Sequence, residues 1–279
     1  MIKRVLLGIG GTPFTKVAIR RAIELCQMHE AQLTAVTVID ERRLRNVGSV
    51  PLGASGVAQE WREQRIEEAC KQVEECIEEL KSLSEEAGVH VNILREEGQP
   101  FQLMIEHARY HDISVFGLRS MFEYDILHGT GTKPAKILDR MTSHGVKPII
   151  ASSDSFKPIR KALIAYGGSI RAASSMHLFM QMKLWPDMEI RLVDCASDEG
   201  EAHRNLSDAK AYVRTHGYEP DVVHRQGNPT KEILAEAHEW EADIIVLGTS
   251  CESFITKTIF GSTARHVIQK SDCPLFIGK

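Results

Sequence analysis

The feature that most limits what this chain can fold into is an internal repeat. Residues 98–120 read GQPFQLMIEHARYHDISVFGLRS and residues 227–251 read GNPTKEILAEAHEWEADIIVLGTSC. Both open G-x-P, run through a segment of helical period and arrive at D-I-x-V-x-G, at Asp112 to Gly117 and again at Asp243 to Gly248. A proline in the first turn of a helix sacrifices no hydrogen bond, and a short apolar run closed by glycine suits a buried strand entering a turn. Repetition of helix, strand and turn in one order marks a duplicated unit. At 279 residues the chain accommodates two units of about 140, each able to bury its own core.

The rest of the chain fits that division. Apolar runs at 5–9, 32–39, 89–94, 113–116 and 148–151 predict five strands, with helices after Thr12-Pro13, over 57–87, from Gly98-Gln99-Pro100 and over 133–141. In the longest helix Trp61, Ile66, Ala69, Val73, Ile77, Leu80 and Ala87 share one face, which predicts a helix covering a sheet. Residues 40–56 carry turn formers without a period and predict a long loop. The polar stretch 152–158 (SSDSFKP) reads as a linker. After it the order starts again, with strands at 162–165, 190–193, 222–224, 244–247 and 275–277 and helices between them. Strands alternating with helices give parallel sheets. The expected fold is α/β: two doubly wound, Rossmann-type domains at 1–152 and 159–279, each a five-stranded parallel sheet flanked by helices.

Composition excludes several functions. A net charge of −4 and a pI near 6.3 leave no basic excess for direct nucleic-acid binding. Cys26, Cys70, Cys76, Cys195, Cys251 and Cys273 form no CxxC pair and no zinc spacing, so free thiols in a reducing cytoplasm are expected. The apolar run after Lys3-Arg4 is five residues long, too short for a signal-peptide core, and no stretch reaches the length of a membrane span.

Ligands of doubly wound sheets sit beyond the carboxyl ends of the strands. In the second unit that edge carries Gly167-Gly168-Ser169, Val193-Asp194, Gly248-Thr249-Ser250-Cys251 and Gly261-Ser262-Thr263. A helix beginning at 261–263 would turn its free N–H groups and its dipole towards an anion, and Ser262 or Thr263 could equally be a plain cap. Among weaker candidates, His107 and His111 stand at i,i+4 on a helix without the Glu of HExxH or a third ligand, which predicts an ordinary exposed pair and no metal site. Asp194 and Cys195 follow a strand, with no partner base assignable.

At this point the chain resembles the universal stress proteins of the ATP-binding type, in their tandem two-domain form with the HUP-like fold. These carry G-x2-G-x9-G-[ST] between the fourth strand and the last helix, and here stands Gly248-x2-Cys251-x9-Gly261-Ser262. The flanks, GNP…ADIIVLG before and ARHVIQKSDCPLFIG after, extend the likeness, which covers both halves. The resemblance implies an adenine nucleotide, ATP, in the second half, with Gly167, Gly248, Ser250, Cys251, Gly261, Ser262 and Thr263 around it and Val193 near the adenine. Magnesium could accompany the nucleotide, but no metal ligand is assignable.

Two departures stand out: Cys251 replaces the second motif glycine, and Gly167 stands where the family usually places an Asp after the first strand. A thiol in the nucleotide loop would make oxidation of Cys251 consequential. In the first half a second site would use Gly117 and the turn Gly129, Gly131, Thr132 and Lys133, one residue out of the family's register, with Ser120 for the second glycine.

The resemblance further implies halves packed as an intramolecular pseudo-dimer through edge strands near 147–151 and 274–277, pairing of two chains into a homodimer, and action through partner contacts rather than catalysis. Two alternatives stay open. One is an ATP-using adenylating enzyme, whose SGGxDS-like loop Tyr166-Gly167-Gly168-Ser169 would match in part, Ile170 and Arg171 replacing its Asp-Ser. The other is a scaffold holding a lipid or apolar ligand under the 40–56 loop.

Overall fold

The computed structural model describes residues 2–10, 12–39, 55–97, 100–117, 146, 148–248 and 262–278. The first half contributes β1 (Arg4–Ile9), α1 (Pro13–His29), β2 (Gln32–Ile39), α2 (Ser55–Glu86), β3 (Val91–Glu97), α3 (Pro100–Ala108), β4 (Ile113–Gly117) and β5 (Ile149–Ser152). The second contributes β6 (Lys161–Ala165), α4 (Ile170–Met182), β7 (Glu189–Asp194), α5 (Glu199–Thr215), β8 (Asp221–His224), α6 (Pro229–Glu239), β9 (Ile244–Gly248), α7 (Ser262–Lys270) and β10 (Leu275–Gly278). The helix expected at 133–141 and all but the last two residues of the loop expected at 40–56 lie outside the described residues, and those two, Ser55 and Gly56, already belong to α2.

The strands form one ten-stranded sheet in the order β3-β2-β1-β4-β5-β10-β9-β6-β7-β8. Each half is parallel within itself, and the halves meet where β10 pairs antiparallel with β5, Leu275 opposite Ala151 and Ile277 opposite Ile149. The two expected five-stranded sheets are therefore one continuous sheet. Because β5 and β10 each present a free edge, pairing them removes two of the four edges that separate sheets would expose.

Strand side chains alternate between two cores. Val5, Leu7 and Ile9 enter one with α1, α2, α4 and α5, while Leu6 enters the other with Met104 of α3, Ile233 of α6 and Val267 of α7. The first core runs across the junction, where Phe276 of β10 meets Phe179 of α4 edge-on, ring centroids 5.0 Å apart. Along α2 the expected inward face is present at Ala69, Val73, Ile77 and Leu80, and Cys76 and Ser84 are buried beside it.

The repeated Asp of D-I-x-V-x-G has the same task in both halves. Asp112 Oδ2 accepts the N–H groups of Lys3 and Arg4 at 2.6 and 2.9 Å, and Asp243 Oδ2 accepts those of Arg160 and Lys161, both at 2.9 Å. Each carboxylate thus caps the start of the strand neighbouring its own, β1 or β6. Asp243→Ala is expected to lower stability by about 1–2 kcal/mol, and Asp112→Ala, at a more exposed site, by less; urea midpoints check the order.

The connection expected as a polar linker at 152–158 is tied down. Ser152 is the last residue of β5 and is fully buried, and Phe156 and Lys157 pack on Arg21 of α1. Arg21 is 1% exposed. Its guanidinium donates to Lys157 O at 2.6 Å and to Glu24, and lies 4.6 Å from the Phe156 ring centroid and 5.6 Å from that of Trp185. Trp185 Nε1 donates to Glu24 at 3.3 Å and His29 Nε2 to Leu184 O at 2.9 Å. Residues of α1 thereby grip the segment after α4, in the other half.

Candidate functional site

In each half the strand order reverses beside the first strand, so the switch point at which ligands of such sheets bind falls at the carboxyl edge between β6 and β9 and between β1 and β4. In the second half the β6–α4 loop begins at that edge. Gly168 adopts φ +67°, a left-handed conformation that costs a side-chain-bearing residue about 1 kcal/mol or more. Ser169 follows as the N-cap of α4, its Oγ accepting the Ala172 N–H at 3.2 Å. Tyr166 N–H donates to Val193 O at 2.8 Å and so holds the loop's start to β7.

Gly248, the last residue of β9, lies against α4. A Cβ there would come 2.7 Å from Ala172 N and 2.8 Å from Arg171 C, all backbone that cannot rotate aside. The first glycine of the motif therefore serves close strand–helix packing. Ser175, 1% exposed, completes the join: its Oγ donates to Leu247 O at 2.8 Å and accepts the Gly278 N–H at 3.1 Å. Gly167 is different, for a Cβ on it would meet nothing within 4 Å.

At the end of β7, Asp194 is 1% exposed and both its oxygens are occupied, Oδ1 by the Ala196 N–H at 2.7 Å and Oδ2 by Asn205 Nδ2 of α5 at 3.0 Å. Asp194 shapes the turn. Beside it, burial pushes the Cys195 thiol up to about 11, with Asp194 and Glu232 adding to the effect, so the nucleophilic thiolate is disfavoured at neutral pH.

The remaining expected residues divide as follows. Val193, expected near an adenine, has its side chain in the core at 1% exposure, because position 193 alternates onto the face covered by α6. Ser262 and Thr263 open α7, which joins two parallel strands and so begins at the carboxyl edge; Thr263 is half-buried. Gly117 ends β4. Ser250, Cys251, Gly261, Gly129, Gly131, Thr132 and Lys133 lie outside the described residues.

His107 and His111 face different partners: His107 Nε2 pairs with Glu96 at 2.7 Å and His111 Nδ1 donates to His107 O at 2.7 Å. Among the described residues no group of three His, Cys, Asp or Glu could hold a metal ion, and no helix is long and apolar enough to cross a membrane.

Sequence reasoning missed four polar side chains at the strand ends and helix starts: Asn205, Ser175 and, in the first half, Thr12 and Thr15. Thr12 is the N-cap of α1 yet makes no side-chain cap bond. Thr12 Oγ1 and Thr15 Oγ1 are both buried without a hydrogen-bond partner among the described residues.

The sequence model of the universal stress protein family matches residues 1–115 and 177–279, well over half of the chain. The chain belongs to that family. Universal stress protein Slr1230 of Synechocystis is 21% identical over 287 aligned positions, covering 98% of this chain and 99% of that protein. The universal stress protein E homologue of Haemophilus influenzae is 34% identical over a shorter stretch, 28% of this chain and 26% of its own. Among solved structures, a universal stress protein from Archaeoglobus fulgidus aligns over 99% of this chain and 98% of its own, with a TM-score of 0.68 and 20% identity. Protein PA1789 of Pseudomonas aeruginosa, described as functionally unknown, covers 100% of this chain and 92% of its own at a TM-score of 0.62 and 13% identity. At such identities the structural likeness establishes the fold: this universal stress protein shares with both a full-length α/β architecture.

Proposed function

We propose that this universal stress protein binds an adenine nucleotide, ATP, in its second half and acts through partner contacts that the bound state alters. The observation that carries the reading is topological. Gly248 ends β9 at the edge where α7 begins with Ser262, so the spacing Gly248-x2-Cys251-x9-Gly261-Ser262 joins a strand end at the crevice to a helix N-terminus whose amides suit phosphate. In this reading Gly261, Ser262 and Thr263 hold phosphates, Ser250 and Cys251 line the loop, Gly167 and the end of β7 at Val193 border the base and ribose, and Gly248 allows α4 to close on β9. Magnesium accompanies ATP through the phosphates. The halves, residues 1–152 and 159–279, work as an intramolecular pseudo-dimer that pairs again as a homodimer in the cytoplasm.

Calorimetric titration with ATP tests the reading. About one equivalent per chain is expected, and absence of binding in nucleotide-free protein would sink it. Two equivalents would place a second nucleotide in the first half, a reading favoured by the unpartnered hydroxyls of Thr12 and Thr15 at the start of α1 and using Gly117, Gly129, Gly131, Thr132 and Lys133. The adenylating alternative predicts a covalent adenylate product with an acceptor acid; it would need donors where Ile170, 85% exposed, and Arg171 stand.

Gly167 offers a second check. Space around it is open and its φ is ordinary, so Gly167→Asp should leave stability within about 0.5 kcal/mol of the parent. By restoring the family's acid, it should tighten ATP about tenfold. Unchanged affinity would place the nucleotide away from this loop.

A further inference from the structure

Asn205 reaches from α5 across the carboxyl edge to the β6–α4 loop. Its side-chain amide lies flat against Gly168: a Cβ on that glycine would come 2.6 Å from Asn205 Oδ1 and 2.7 Å from Nδ2. The two ends of an amide resemble one another in shape, and here chemistry decides which faces where. Asp194 already accepts the Ala196 N–H and can offer its neighbour only a further acceptor, so the nitrogen of Asn205 must face it, as it does at 3.0 Å. That leaves Oδ1 turned away from Asp194, and no described residue donates to it. Asp194 is itself held, 1% exposed, so the amide is locked in one orientation at a site whose neighbours Gly167, Gly168 and Ser169 are all exposed. A fixed acceptor at this edge, to which none of the described residues donates, selects for a ligand group that does.

We infer that Asn205 is a specificity-determining residue of the second-half site, its Oδ1 accepting a hydrogen bond from an amino or hydroxyl group of the ligand. The inference rests on the nucleotide reading above, in which the donors available beside this loop are the 6-amino group of adenine and the ribose hydroxyls. Gly168 has to be glycine for two reasons, its positive φ and the space the amide occupies. Asp194 acts at one remove as the residue that positions Asn205.

The test is calorimetric titration of the full chain and of Asn205→Ala with AMP, purine riboside 5′-monophosphate, 2′-deoxy-AMP and 3′-deoxy-AMP, each analogue lacking one donor. The parent should bind AMP about tenfold more tightly than one of the three analogues. Asn205→Ala should lose that preference, its affinity for AMP falling to that of the discriminated analogue and its affinity for that analogue staying put. Asn205→Leu, close in shape and without donor or acceptor, should behave alike, and thermal melting confirms that both variants are folded. An equal loss for all four ligands would reduce Asn205 to a support of the loop and overturn the inference, as would unchanged affinities or a parent that does not discriminate. A parent that binds none of the four would overturn the inference, and one that fails to bind ATP as well would overturn the nucleotide reading itself.

Discussion

Replacing Arg21 with alanine is expected to lower the stability of this protein by about 2–4 kcal/mol. The guanidinium is buried at the meeting of the halves, and burial lowers its pKa while Glu24 opposes the shift. Truncation would leave Glu24 short of its cation, Lys157 O short of its donor and a void between Phe156 and Trp185. Glu24 is 22% exposed, so water recovers part of the ionic loss and the estimate stays below the full cost of stranding a buried charge. Arg20, one residue earlier, supplies the control. It is 54% exposed and stands 4.0 Å from Glu79, so Arg20→Ala should cost no more than about 0.5 kcal/mol. Urea denaturation of the two variants decides. Equal small losses would mean that the α1 contacts across the halves contribute little.

Replacing Gly248 with valine is the second large effect, expected at about 2–3 kcal/mol in nucleotide-free protein. The new Cβ would press on the backbone of Arg171 and Ala172, and relief requires moving α4 away from β9 and from the Ser175 bonds that join it to Leu247 and Gly278. Because the loss arises without ligand, it separates packing from phosphate contact at this motif position. A variant as stable as the parent but unable to bind ATP would instead assign Gly248 to the phosphates directly.

These two residues also mark what could and could not be read from the sequence. Strand positions such as 5–9 and 244–247 were legible because parallel strands buried on both faces are continuous apolar runs, and the repeated D-I-x-V-x-G revealed the duplication. Why the Asp recurs was not legible, since the amides it caps lie 109 and 83 residues away at the farthest. Arg21 reads as a solvent-facing charge on an amphipathic helix, and nothing local announces that Phe156, Lys157 and Trp185 will cover it. Glu236 is a similar case. It is 2% exposed between Arg191, at 2.9 Å, and Arg225, partners 45 and 11 residues off, although its helix reads as ordinary surface.

For the site, the glycine spacing was legible because loop chemistry is concentrated in short segments, and its two ends, Gly248 and Ser262, stand at the end of β9 and the start of α7. Two details depended on three-dimensional packing. Val193 alternates into the core and cannot turn its side chain to a ligand, and Asn205 arrives from a helix eleven residues beyond Asp194.

The central claim, an adenine nucleotide at the crevice of the second half, is tested most directly by photolabelling the full chain with 8-azido-ATP and mapping the labelled peptides. The account predicts label within 163–169, 193–205 or 248–263, removed by excess unlabelled ATP. Label confined to 10–15 or 117–133, or label that unlabelled ATP does not remove, would contradict it.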